Sequence, residues 1–169
     1  MSRKIYGRTL LELISTLAML LVLISIALPN LRQQIENNER TQAVNQLLSL
    51  LHHTRSNAVY TRRVVTLCQG ESRCSESTIW RGTLLIFVDH NANGQRDIGD
   101  ELLYQTQIAE GLSWHWNRNK SHIQFEADGT TRALNGTFTL CKRGAPQRQV
   151  VIALSGRVRN QPPARGAYC

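Results

Sequence analysis

The sequence predicts an α+β fold in which one long N-terminal helix packs on an antiparallel β-sheet domain. Three observations lead there. An apolar run of membrane-spanning length opens the chain and passes into an amphipathic helical pattern. Short β-rich runs separated by turn residues follow from about residue 64, and all four cysteines, Cys68, Cys74, Cys141 and Cys169, lie in that second part. A length of 169 residues fits one modest domain plus one extra element. A 41% hydrophobic and 19% charged composition excludes a disordered polyelectrolyte.

The apolar run comes first. From Leu13 to Leu28 the chain reads LISTLAMLLVLISIAL without a charge, and from Thr9 to Leu28 the one carboxylate is Glu12. Some twenty residues at about 1.5 Å each cover the roughly 30 Å hydrocarbon core of a bilayer. Arg3, Lys4 and Arg8 precede the run, so the positive-inside rule expects a cytoplasmic N-terminus with the rest of the chain outside. The run is long for a signal-peptide core, and no small-x-small cleavage site follows it before Pro29. Glu12 is costly at this depth and calls for a partner, yet no cation lies deeper in the run.

Beyond Pro29 a helical period resumes. Leu31, Ile35, Val44, Leu47, Leu48, Leu51, Ala58 and Val59 recur at three- and four-residue steps. One helix to about Tyr60, kinked at Pro29, is expected, with this stripe laid on a globular domain. Arg32, Arg40 and Arg55 read as its solvated face. The resulting divisions are 8–30 for the membrane half, 31–63 for the amphipathic half and 64–169 for the β domain.

The β-rich runs are residues 64–68, 83–88, 102–106, 112–116, 123–125, 137–140 and 150–154. Gly82 punctuates them, as do Asn93-Gly94, Asp128-Gly129 and Asn135-Gly136, three dipeptides suited to hairpin turns. The cysteines fall on the outer side of the expected membrane, an oxidising compartment in bacteria, so two disulfides are expected rather than a metal site. Of the three possible pairings, Cys68–Cys74 with Cys141–Cys169 is favoured: the first closes a short loop and the second pins the C-terminal segment.

Gly7-Arg8-Thr9-Leu10-Leu11-Glu12-Leu13 resembles the type III signal of type IV pilins and pseudopilins. The resemblance implies cleavage by a prepilin peptidase between Gly7 and Arg8, removal of residues 1–7 and a methylated amine on Arg8. It also implies a partner for Glu12, the N-terminal amine of a neighbouring subunit. Arg8 departs from the family's usual Phe. The chain is similar more narrowly to the GspH/FimT family of minor pilins and pseudopilins. That similarity rests on Leu47 to Cys68 with Arg55-Ser56-x-Ala58 and Val65-Thr66-Leu67-Cys68, on Phe87-Val88-Asp89-x-Asn91-x-Asn93-Gly94-x-x-Asp97, and on Gly156-Arg157-Val158-Arg159. It implies the type IV pilin fold.

Charge points to a binding surface. The formal charge is +8, with Lys at three positions and Arg at seventeen. Residues 131–169 carry Arg132, Lys142, Arg143, Arg148, Arg157, Arg159 and Arg165 and no carboxylate. On a strand, Arg157 and Arg159 would share one face with Val158 opposite. Planar guanidinium groups suit phosphate, so Arg157, Arg159, Arg165, Lys142, Arg143 and Arg148 are the candidate contacts to nucleic-acid backbone. In FimT-like proteins the resemblance links this GRxR segment to DNA capture. Trp114 and Trp116 read first as a buried pair and second as a base-stacking surface.

Asp89, Asn91, Asn93, Asp97 and Asp100 partly match a calcium loop, but two ligand positions are neutral Asn and the final bidentate Glu is replaced. An Asx-rich turn is the leading reading, so no cofactor is expected, with Ca²⁺ as the alternative. An enzyme is not expected, since the chain has no G-x-S-x-G and no supported Ser/His/Asp order.

The expected function is a minor pilin that primes or caps a type IV pilus and binds double-stranded DNA for uptake in natural transformation. Its partners would be other pilins, prepilin peptidase and DNA. It would sit in the bacterial inner membrane, C-terminal domain periplasmic, before assembly into a surface pilus. The alternatives are a minor pseudopilin of a type II secretion system and, remotely, a membrane-tethered enzyme.

Overall fold

A Leu-rich sequence with no Gly from Leu10 to Thr61 favours a continuous helix. A computed structural model of the chain describes residues 10–132 and 134–169. The Gly7–Arg8 processing signal lies outside the described residues. Helix α1 runs Leu10–Thr61, with Pro29 inside it and Glu12 in its first turn. Arg62, at φ 54°, ends it in the left-handed region used by helix C-termini.

The chain divides into two compact units, Met1–Glu39 and Arg40–Cys169. In the first, residues 10–39 form an exposed helix that carries an apolar stretch long enough to cross a membrane by length and composition. In the second, Ala43, Val44, Leu47, Leu50, Leu51, Thr54 and Ala58 are buried. The apolar stripe therefore starts later than its period implies. Leu31 and Ile35 are about half exposed, as is Val59. Ala43, Leu50 and Thr54 take part instead. Thr54 fits because its hydroxyl donates back to the Leu50 carbonyl at 2.6 Å, so no polar group is left unsatisfied.

Among the described residues nine strands follow: β1 Val65–Gln69, β2 Ile79–Trp80, β3 Thr83–Val88, β4 Glu101–Gln107, β5 Leu112–Trp116, β6 His122–Phe125, β7 Gly136–Lys142, β8 Ala145–Ile152 and β9 Val158–Gln161. They build two antiparallel sheets, β4-β3-β1-β6 and β2-β5-β7-β8-β9. β3 and β5 match the expected runs residue for residue. β2 was not foreseen, being two residues long, and β8 starts five residues before the expected run and stops two before its end. Leu154, expected in a strand, lies in the β8–β9 turn.

The main core joins the helix stripe to Val65, Leu67, Leu84, Ile86 and Val88 of the first sheet and to Trp114, Trp116, Phe138, Leu140, Val150 and Ile152 of the second. Alternate residues of β1 and β3, Cys68, Leu85 and Phe87, face away from it and form a smaller core with Cys74. Both faces of β3 are thus buried. Each fully buried Leu or Phe contributes about 1.5–3 kcal/mol by removal from water.

The turns differ from expectation at Asn93-Gly94, which lies inside the loop 89–100 between paired Val88 and Glu101, and more instructively at Asn135-Gly136. Asp128-Gly129 does make a tight turn, with Gly129 N donating to Glu126 O at 2.8 Å. Asn135-Gly136 makes no hairpin. Gly136 opens β7 because a Cβ there would lie 2.5 Å from the Trp116 ring. The hairpin between β7 and β8 turns instead on Arg143 and Gly144, both at positive φ (52° and 74°), with Lys142 paired to Ala145. This is the geometry of a two-residue primed turn.

Candidate nucleic-acid interface

Residues 89–100, between β3 and β4, hold the candidate cation ligands. Asp89 is buried, and its Oδ2 accepts from Thr66 Oγ1 (2.9 Å), Gln124 Nε2 (2.9 Å) and Gly94 N (2.8 Å), while Oδ1 accepts from Asn93 N (3.2 Å). Asp97 Oδ2 accepts from the side-chain amides of Asn91 (2.9 Å) and Asn93 (2.8 Å). Asp100 accepts from Asp97 N at 2.9 Å and from His90 N at 3.1 Å. Arg63 donates to His90 Nε2 at 2.7 Å, which leaves Nδ1–H to donate to Asp100 at 3.3 Å. Burial works to raise the Asp100 pKa, but the Asp97 and His90 amides and the His90 ring outweigh it and hold the carboxyl below its ordinary value. The carboxylates thus face N–H and O–H donors, the pattern of an Asx-stitched turn. Among the described residues no group of three or more His, Cys, Asp or Glu is arranged to hold a metal ion.

The basic residues are arranged differently. Val158 is half-buried against the main core, while Arg157 and Arg159 on either side of it are exposed. Arg157 stands just before β9, and Arg159 lies within it, opposite Val151. The turn that presents them is firmly held. Ala153 and Arg157 pair by Ala153 N to Arg157 O at 2.9 Å, and Gly156 N donates to Ala153 O at 2.9 Å. Gly156 sits at φ 74°. A Cβ on it would lie 2.1 Å from the Gly129 carbonyl oxygen, so only glycine fits. Arg55 donates to the Gly156 carbonyl at 3.4 Å. That residue, expected on the solvated helix face, is half-buried and ties the helix to this turn.

Not all the candidate cations share a surface. Arg148 pairs with Leu140, which is fully buried, and stands two residues before buried Val150, so its side chain leaves the core-side face of the sheet. Arg159 pairs with Val151 and leaves the other face. Lys142 and Arg143 lie at the β7–β8 turn, and Arg157 at the β8–β9 turn. Those ends are separated by β8, roughly 25 Å at about 3.3 Å per residue. Arg143, Arg148, Arg157, Arg159 and Arg165 belong neither to the Arg132–Glu126 ion pair nor to the His90–Asp100 contact.

The C-terminal segment crosses the outer face of the second sheet. Cys141 and Cys169 are bonded, as are Cys68 and Cys74. Gln149 anchors the crossing: its Oε1 accepts from Gln161 Nε2 (3.3 Å) and Ala164 N (3.1 Å), and its Nε2 donates to Thr139 Oγ1 (3.2 Å). Trp114 and Trp116 are buried and pack on Phe138, with ring centroids at 6.3 and 4.4 Å. Base stacking on them is excluded by their burial; the aromatic on the surface here is Tyr168, about three-quarters exposed.

A family model described as "Type II transport protein GspH" matches residues 43–156. The pilin-like protein PilA1 of Thermus thermophilus is 31% identical over 167 residues, covering 90% of this chain and 96% of that protein. The type IV minor pilin FimU of Pseudomonas aeruginosa superposes with a TM-score of 0.62 at 27% identity, covering 75% of this chain and 91% of that one. The minor pseudopilin EpsH of the Vibrio cholerae type 2 secretion system shares the fold, with a TM-score of 0.50 at 14% identity over 76% and 99% of the two chains. With its long apolar helix and disulfide-stapled antiparallel sheets, the chain belongs to the GspH/FimT family of type IV minor pilins and pseudopilins.

Proposed function

We propose that the chain is a minor pilin of a type IV pilus, that it primes or caps the filament, and that its basic end binds double-stranded DNA for uptake in natural transformation. The observation that carries the DNA reading is the pair Arg157 and Arg159. Both are exposed, alternate about an inward Val158, and are presented by a turn that Gly156, Gly129 and Arg55 hold in place. Guanidinium groups on a rigid, acid-free segment are suited to phosphate contact without sequence readout. The pilus reading is supported by relatives named a pilin-like protein and a type IV minor pilin, at 31% and 27% identity. The second reading, a minor pseudopilin of a type II secretion system, is favoured by the description of the matching family.

Processing follows the same reading. Prepilin peptidase cuts after Gly7, Arg8 becomes the methylated N-terminus, and Glu12 meets the N-terminal amine of a neighbouring pilin. The helix anchors the subunit in the inner membrane, N-terminus cytoplasmic and domain periplasmic, until assembly.

Gel shift of the full chain in non-ionic detergent against random-sequence duplex tests the DNA reading. Arg157→Gln with Arg159→Gln is expected to weaken binding by about tenfold or more. The slope of log K against log salt should flatten by roughly 2, at about 0.9 for each phosphate no longer neutralised. Binding that survives both changes, or is absent at low salt in the parent, refutes it.

A further inference from the structure

The two grooves on the outer face of the second sheet belong to one trench. A cross-strand row, Ile79–His115–Thr139–Gln149–Gln161, spans all five strands in register. The first groove, about 590 Å³, lies over this row and is walled by residues 164–169, including Arg165 and Tyr168. The second, about 890 Å³, is lined by Arg81 and Arg143, with Glu110 as its one acid. Both grooves are lined by Ile79, His115 and Cys169, so they meet there. On the floor, the Gln149 amide is already satisfied by its bonds to Thr139, Gln161 and Ala164. What the trench offers a ligand is therefore three arginines, His115 and the exposed ring of Tyr168. Among the described residues, neither His90–Asp100 nor Arg132–Glu126 involves Arg81, Arg143 or Arg165. Arg81 carries no sequence signal, since it stands alone beside the Gly82 turn.

We propose that this trench binds single-stranded nucleic acid, its phosphates against Arg81, Arg143 and Arg165 and a base stacked on Tyr168. The proposal rests on the reading that the basic end binds DNA, and it assigns the trench and the Arg157–Arg159 edge to different forms of it. A walled groove admits one flexible strand with its bases unpaired. A duplex hides its base faces and meets such a groove at the rim alone. Base-on-aromatic stacking contributes about 1–3 kcal/mol per base and needs no particular sequence. Alternating cations and an aromatic along a channel are the means by which single strands are held.

Fluorescence anisotropy of the full chain in non-ionic detergent tests this. One probe is a labelled oligothymidylate of about twelve nucleotides, within the usual site size, and the other a random-sequence duplex. Arg81→Gln is expected to weaken the oligothymidylate by about fivefold or more, and Tyr168→Ala by about tenfold. Duplex affinity should stay within about twofold for both, and an unchanged melting temperature confirms that the variants fold. Equal loss of both probes overturns the single-strand assignment, because the trench is then part of the duplex surface. Unchanged oligothymidylate binding overturns the trench alone if the duplex remains sensitive to the Arg157 and Arg159 changes. A parent chain that binds neither probe removes the DNA reading itself.

Discussion

Residues 89–100 and the second sheet with its C-terminal segment are both dense in residues of the kinds that bind ligands, and they are built in opposite ways. In the loop, Asp89, Asp97 and Asp100 each accept hydrogen bonds from neighbouring amides, hydroxyls or the His90 ring. On the sheet and its flanking turns, Arg81, Arg143, Arg157, Arg159 and Arg165 stand outside both the Arg132–Glu126 ion pair and the His90–Asp100 hydrogen bond. A motif is therefore weighed by where its bonds go. Ligand-type residues whose bonds close on one another shape the chain, whereas charges left without an opposite charge are the ones a ligand can satisfy.

The most damaging single change is expected in the loop. Asp89→Ala removes the acceptor for Thr66, Gln124, Gly94 and Asn93, the first three of them buried. A loss of about 3–5 kcal/mol is expected, seen as a fall of roughly 10 °C in melting temperature. A fall under a few degrees would mean that the network is not what holds the loop.

Acidification should weaken the domain by a smaller step. Burial, aided by nearby Lys120, lowers the His122 pKa against the opposing influence of Asp89 and Gln124. Burial and Arg81 do the same for His115. The unfolded chain then holds more protons below the ordinary value of 6.5, so stability is full above that pH and declines as pH falls through the interval down to the folded values. Melting at pH 5 should lie below melting at pH 7, and His122→Asn should narrow the gap. An unchanged gap in that variant would acquit His122. Asp100, lowered in the folded state, adds its own loss only below its ordinary value of 3.8.

The sheet predicts the reverse of the loop. Arg157→Gln with Arg159→Gln, expected to impair DNA binding, should leave the melting temperature within about 2 °C, because exposed side chains outside any ion pair contribute little to stability. A large fall would show that these arginines brace the fold. Calcium should do least. Millimolar Ca²⁺ is expected not to raise the melting temperature, whereas a saturating rise would show that the Asp89–Asp100 loop opens to take the ion.

Much of this was legible in the sequence, and what was not has particular causes. Residues 83–88 announced themselves as a strand by an almost unbroken apolar run, and residues 112–116 by apolar residues at alternate positions. β8 was half hidden, since Pro146, Gln147, Arg148 and Gln149 read as a loop, and the strand accommodates them with an irregular register between Leu140 and Cys141. The Arg143–Gly144 turn lacked the Asn or Asp that usually marks such a corner. Leu31 and Ile35 keep the helical period without being buried, because periodicity reports a face and not whether anything covers it. Arg55 lies 101 positions from the Gly156 it holds, and Gly129 belongs to a different turn, so no local pattern carries either contact. At the candidate site the GRVR alternation could be read directly. The separation of Arg148 from Arg159 by a sheet's thickness, and the company Arg81 keeps, required the fold.

The bond between Cys141 and Cys169 closes a covalent ring that contains β8, β9 and the segment crossing the sheet, with a sequence separation of 28. β9 is an edge strand, and edges of this kind can peel away and pair with the same strand of a second molecule. Here such an exchange would have to draw a closed loop through its neighbour. The ring therefore commits β9 to its own sheet, which matters for a chain of the minor pilin and pseudopilin family.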